Sequence, residues 1–353
     1  MRILLIGGTG AIGTHLANVL AEMGHTVVVT SRKPHESKGL IEYRQGNAKN
    51  TDFLISVLRE NWDTIVDFMN YTTNEFSQRV GLLLNFTSQY IFLSSARVYE
   101  KNKEAITEES LRLLDSSTDE VYLSTDEYAL SKAREENMLR SAHKRNWVII
   151  RPYITYSESR LQLGNFEKEH WLYRALKGRT IVFSKDINNR LTTLTYGLDV
   201  AKGIASLVGN TDTLGEIYNI TCDYTVKWSE ILDIYLDTLE EKLGYRPKVI
   251  YQDLETFLKW NEGKYQIIYD RLFDRKFNCS KINKYINTKD FIHVREGLRK
   301  CLNEFLSEPR FGKINWKLEA IKDRYTGERT PLSEINGYKQ KLKYLLYRYL
   351  KVI

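Results

Sequence analysis

The stretch RILLIGGTGAIG at residues 2–13 limits what this chain can fold into more than any other. Arg2–Ile6 is a short apolar run suited to a buried parallel strand. It breaks into a glycine-rich turn and then a helical stretch, Thr14–Met23, with a second strand expected over Thr26–Thr30. Strand, glycine turn, helix, strand is the first half of a dinucleotide-binding fold. Gly7 and Gly10 allow a tight turn and let backbone N–H groups approach a pyrophosphate at the positive end of the helix. Ala11 and Ile12 complete the turn, and Gly13 lets the helix lie close to the strand. The expected fold class is α/β, a doubly wound parallel sheet of Rossmann type with a smaller C-terminal lobe.

The end of the second strand selects the cofactor. An acidic residue there would hold the adenosine ribose hydroxyls and favour NAD. This chain has Ser31-Arg32-Lys33 instead. A guanidinium at Arg32 can pair with a 2′-phosphate and stack on adenine, so NADP is the expected cofactor and NAD the alternative. Asn47, at the end of a further short strand, offers an amide to the adenine edge.

Further along, a helix is expected near Asp52–Asn61, a strand over Thr64–Met69 and a helix over Thr73–Leu84. The apolar run that begins at Gln89 ends in Ser94-Ser95, at the carboxyl edge where open α/β sheets bind ligands. A polar stretch, Glu100–Thr125, follows, and after it Tyr128-x-x-x-Lys132 within an amphipathic helix. Tyr and Lys at i and i+4 share one helix face, and an ammonium beside a phenol favours the phenolate.

These motifs together resemble the extended short-chain dehydrogenase/reductases, the NAD-dependent epimerase/dehydratase family. The resemblance rests on Gly7-x-x-Gly10-x-x-Gly13, Ser94–Tyr99, Tyr128-x-x-x-Lys132, Arg151-Pro152, Tyr196–Ala201 and Gly215–Ile220, and covers roughly residues 1–300. It implies that Ser95, Tyr128 and Lys132 are catalytic. Ser95 would polarise a substrate oxygen, Tyr128 would handle the proton, and Lys132 would support Tyr128 and bind the nicotinamide ribose. Pro152 would join the cofactor contacts. The family's dehydratases carry an Asp–Glu pair where this chain has Ala96 and Arg97. The STDEVY at 117–122, which looks like that signature, has no apolar strand before it and is expected to be a polar loop with Asp119 and Glu120 facing water.

The resemblance implies a nucleotide-sugar substrate, reduced or epimerised, gripped by a lobe in which Arg190 and Arg271 could meet a diphosphate. Arg97 either meets an anionic group or is solvated. The expected division is a dinucleotide-binding domain at 1–155, rejoined by 191–207, a substrate lobe at 156–310 and a basic helical tail at 311–353. Family members often dimerise through a helix pair, so a homodimer is among the implied assemblies. A second resemblance competes. The run Trp62–Phe68 with Ser31-Arg32-Lys33 looks like the branch holding chloroplast stem-loop RNA-binding proteins, where the same scaffold binds RNA without chemistry. Met69-Asn70-Tyr71 also replaces the small residues that usually line the cofactor in the family.

Bulk composition narrows the rest. Three scattered cysteines, an odd number, suit a reducing cytoplasm, and no histidine has a companion at metal-ligand spacing, so no metal is expected. No apolar run approaches membrane-spanning length, and the glycines after Ile6 read as a first strand, not a signal peptide. From Arg310 onward there are eleven lysines and arginines against four acids, which accounts for the whole formal excess of +7. The first 309 residues balance at 41 of each sign, which does not suit a dedicated nucleic-acid binder. The final stretch places Leu342, Leu345, Leu346, Leu350 and Ile353 at helical spacing among lysines and Arg348. It reads as a basic amphipathic helix packed on the protein's own body, with contact to an anionic membrane surface as the alternative.

Overall fold

Seven strands pair into one parallel sheet in a computed structural model that describes residues 1–350. Its strands are β1 (Arg2–Ile6), β2 (Thr26–Ser31), β3 (Ile41–Gln45), β4 (Trp62–Asp67), β5 (Thr87–Leu93), β6 (Trp147–Pro152) and β7 (Glu216–Ile220). They lie in the order β7-β6-β5-β4-β1-β2-β3, every neighbouring pair parallel. Chain order reverses between β1 and β4, which opens a crevice at the carboxyl ends of those strands. Ile3 through Ile6 and Val27 through Val29 are fully buried. Such continuous apolar runs are what a sheet covered on both faces requires, each large side chain contributing roughly 1.5–3 kcal/mol.

Helix α1 (Gly13–Glu22) follows the glycine turn and turns Leu16, Ala17 and Leu20 inward. Helix α2 (Tyr128–Arg140) crosses from the polar stretch back to β6, and α3 (Gly197–Ala205) packs against α1. The helix expected over Thr73–Leu84 is two short ones, Thr73–Ser77 and Val80–Asn85. The break falls at Gln78-Arg79, where the Arg79 guanidinium turns back to donate to the carbonyls of Glu75 and Lys49 at 2.7 and 2.8 Å.

The chain divides into two compact units. The first holds Met1–Ser157, Thr193–Thr225 and Arg275–Val294, and so contains the whole seven-stranded sheet. The second holds Glu158–Thr192, Val226–Asp274 and the chain from Arg295 on. Its core is built on buried Trp171, Trp228 and Tyr235. Two helices end the described chain, α4 (Trp316–Thr326) and α5 (Tyr338–Tyr349), and they pack on each other. The anchor beneath them is polar. Arg174, fully buried, pairs with Glu319 and Asp323 at 2.9 and 2.8 Å, and the Tyr344 hydroxyl donates to Asp323 at 2.7 Å. Ile353, assigned above to the tail's apolar face, lies outside the described residues.

Candidate active site

Four strand ends frame the crevice. Gly7, leaving β1, sits at φ +70°, a conformation that costs a side-chain-bearing residue energy. A Cβ on Gly13 would lie 2.5 Å from the Gly8 carbonyl oxygen, so the helix can approach the strand only because that position is glycine. No atom comes within 4 Å of where a Gly10 side chain would begin, and the outer face of the turn stands open. Beside it is a cleft of about 280 Å³ lined by Gly7, Thr9, Ser31, Arg32 and Asn47, with Met69 and no acidic residue in its wall. Four of the residues expected to hold a dinucleotide are thereby brought together. Ser31 Oγ accepts from Lys33 N at 3.2 Å and Asn47 Oδ1 from Lys49 N at 3.1 Å, which fixes both strand-end turns. Lys49 is engaged by Glu75 at 2.8 Å, whereas the exposed Arg32 guanidinium has no partner among the described residues. This lining of glycine backbone, hydroxyls, an amide and a guanidinium, without an acid, fits a dinucleotide.

The residues expected to carry acid–base chemistry lie after β5 and on α2. Ser95 follows β5, is buried, and accepts from Arg97 N at 3.2 Å as it caps the 3₁₀ turn Ala96–Val98. That bond occupies a lone pair and leaves the hydroxyl hydrogen available to donate. Arg97 forms an ion pair with Glu127 and lies 5.0 Å from the centre of the Tyr128 ring. Tyr128 opens α2, whose first turn is capped by Glu127 accepting from Ala129 N at 2.8 Å. Arg97, left open between substrate contact and solvation, is thus tied beside Tyr128.

Lys132, one turn along α2, is only 2 % exposed. Its ammonium stands 3.0 Å from Glu135 Oε2, 3.4 Å from the Met69 carbonyl oxygen and 4.4 Å from the centre of the Phe92 ring. Around it lies a buried polar cluster. Asp67, at the end of β4, accepts from Met69 N at 2.8 Å and from the hydroxyls of Tyr71 and Tyr90 at 3.0 and 2.9 Å. Burial raises the Asp67 carboxyl despite those donors and Lys132, and it raises both phenols well above their usual range. Burial pushes the Glu135 carboxyl up to about 7 even with Lys132 beside it, and Glu135 Oε1 has no hydrogen-bond partner. Two carboxylates therefore compete for one ammonium in a buried site. The Met69 side chain meanwhile stands over the glycine turn, its sulfur 2.8 Å from where a Gly7 Cβ would sit.

A second buried network holds the end of β5 in place. Ser94 Oγ donates to Glu136 at 2.6 Å, Glu136 pairs with Arg151 at 2.6 Å and Arg112 at 3.1 Å, and Arg151 donates to the Tyr99 hydroxyl at 2.7 Å. Burial alone would raise the Glu136 carboxyl, but Arg151, the Ser94 hydroxyl and Arg112 together outweigh it and the net displacement is downward. Pro152, buried at the end of β6, pairs with Ile220 of β7 and is not in the wall of the cleft.

The two arginines expected to meet a diphosphate lie in the second unit, whereas Arg97 lies in the first. Arg271 is buried, paired with Asp270, and donates to the Gly164 carbonyl at 2.8 Å. Arg190 is half-buried in the turn after Lys185–Asn188. The STDEVY stretch forms a one-turn helix, Glu120–Leu123, which Asp119 caps by accepting from Tyr122 N at 2.9 Å, while Glu120 is exposed. Sequence reading passed over Glu135 and Asp67. Glu135 was findable as the acid three residues after Lys132 on the same helix. Asp67 carried only the weak signal of an acid closing an apolar strand.

A family model, "NAD dependent epimerase/dehydratase family", matches residues 3–221. A curated relative, chloroplast stem-loop binding protein of 41 kDa b of Arabidopsis thaliana, is 26% identical over 236 residues. That match spans 62% of this chain and 58% of the relative's length, so the chain covers little more than half of it. Among solved structures, UDP-glucuronic acid 4-epimerase from Bacillus cereus, in complex with UDP-glucuronic acid and NAD, superposes with a TM-score of 0.66 at 17% identity. The superposition covers 87% of this chain and 99% of that one. UDP-glucose 4-epimerase of Thermus thermophilus, complexed with NAD, gives a TM-score of 0.64 at 17% identity over 87% and 100% of the two chains. At these identities the likeness establishes the shared fold.

Proposed function

The chain belongs to the NAD-dependent epimerase/dehydratase family, and on that premise we propose that it is an NADP-using enzyme that reduces or epimerises a nucleotide-activated sugar. The observation that carries this reading is the convergence of Gly7, Ser31, Arg32 and Asn47 on one acid-free cleft at the point where strand order reverses. When bound there, the dinucleotide supplies hydride exchange at its nicotinamide. The chain's own residues do the rest. Ser95, its oxygen held by Arg97 N, donates its hydrogen to a substrate oxygen and orients it. Tyr128 gives or takes the proton at its hydroxyl. Lys132, one turn along the same helix as Tyr128, would support that proton transfer and hold the nicotinamide ribose. Ala96 and Arg97, in place of a carboxylate pair, argue against dehydration.

Titration of the purified chain with NADPH and NADH, beside Arg32→Ala, tests the reading. NADPH should bind more tightly, and Arg32→Ala should weaken it by roughly ten- to a hundredfold, the worth of one charge-assisted contact. Tighter binding of NADH would overturn the cofactor assignment. Binding of neither would overturn the enzyme reading. It would favour a binding protein without chemistry, a reading supported by the engagement of Lys132 with Glu135.

A further inference from the structure

Helix α5 has two apolar faces, and its own body uses only one. Tyr344 is fully buried against α4 and Ile335, with Leu345 and Tyr347 partly covered beside it. On the far side Tyr338, Leu342, Leu346 and Tyr349 are exposed, Leu342 by 46 % and Leu346 by 38 %. At about 100° per residue these four fall within roughly 80° of the helix circumference, centred nearly opposite Tyr344. Leu350, immediately after the helix, is exposed as well. Lys339 and Lys343 border this stripe on one side and Lys341 on the other, and none of the three has a partner among the described residues. The helix contains no acidic residue, and the last acid before it is Glu334. Lys343 also lines a hollow of about 320 Å³ with Lys313, His170, Asn315, Trp316 and Gln340, again without an acid.

We propose that this face of α5 is a docking surface for an anionic phospholipid bilayer, with Leu342, Leu346 and Tyr349 entering the interface and the flanking lysines meeting head-group phosphates. The combination decides among occupants. A second copy of the chain would set the same uncompensated cations against each other. A nucleic acid would satisfy the lysines but would leave the leucines in water. An anionic lipid surface satisfies both, which is the pattern of helices that lie in a membrane interface. No helix among the described residues is long and apolar enough to cross a membrane, so the contact is with the surface.

Co-sedimentation of the full chain with phosphatidylcholine vesicles, with and without phosphatidylglycerol, is the test. Sedimentation should require phosphatidylglycerol and weaken with salt. Lys339→Gln and Lys343→Gln should each weaken it by roughly fivefold. Leu342→Gln combined with Leu346→Gln, at exposed positions that leave the circular dichroism unchanged, should weaken it by at least about tenfold. Failure to sediment with anionic vesicles overturns the proposal, as does undiminished sedimentation of the double leucine variant. A lower particle mass for that variant in light scattering would also overturn it, by identifying a self-association face. So would retention on RNA that depends on the lysines alone.

Discussion

Glu135 shows how much a single side chain can decide. Its carboxyl is raised to about 7 by burial, so the folded chain holds a proton there that the unfolded chain has released above about pH 4.5. Stability from this group is therefore complete below the unfolded value and is lost as pH rises through 7. Glu135→Gln keeps the shape and removes the charge, leaving Lys132 to Asp67. The variant should match the parent near pH 4.5 and gain on it by about 1.4 kcal/mol per unit up to pH 7, as read by urea melts at stepped pH. A variant less stable than the parent at pH 8 would mean that the Lys132–Glu135 pair outweighs the desolvation of the carboxylate. If the proposed chemistry holds, Tyr128→Phe should bind NADPH as the parent does yet turn over roughly a hundredfold or more slowly. At this scale the sequence was legible where a local motif fixes the backbone or places a residue at a strand end. Gly7, Gly13 and Arg32 could be read in place because their neighbours in the chain define their setting. Tyr71 and Tyr90 could not be, because their shared partner Asp67 is reached only when β4 and β5 pair.

At the scale of elements, the central strands were readable because their apolar runs are unbroken between turn residues, and a buried parallel sheet demands that pattern. The tail was read less well. Its leucine spacing pointed to Leu342 and Leu346 as the packed side, whereas the inward side is set by Tyr344. A tyrosine gives no such signal, since its burial depends on a partner for its hydroxyl, here Asp323, supplied by another helix. The same network makes Arg174 a sensitive point. Arg174→Ala would leave Asp323 without its guanidinium and Glu319 with Lys322 alone. It should destabilise the second unit by about 3–5 kcal/mol, visible as lost hydrogen-exchange protection in α4 and α5. Unchanged protection would show that Lys322, 3.0 Å from Glu319, suffices to hold the carboxylates.

At the scale of the whole molecule, the two units are interleaved along the chain. The path leaves the first unit after Ser157, returns at Thr193, leaves again after Thr225, returns at Arg275 and departs after Val294. Such an order is invisible to local pattern, because a segment's apolar period says that it is buried and not in which unit. One expectation follows for fragments. A chain stopped at Ser157 lacks β7, which covers the edge of β6, and should be insoluble or molten by near-ultraviolet circular dichroism. A folded, cooperatively melting fragment would contradict this. The interleaving also matters during synthesis. A ribosome must pass Val294 before the first unit possesses all its pieces, and by then much of the second has emerged too. Vectorial production cannot finish one unit before starting the other, so the two are committed to maturing together.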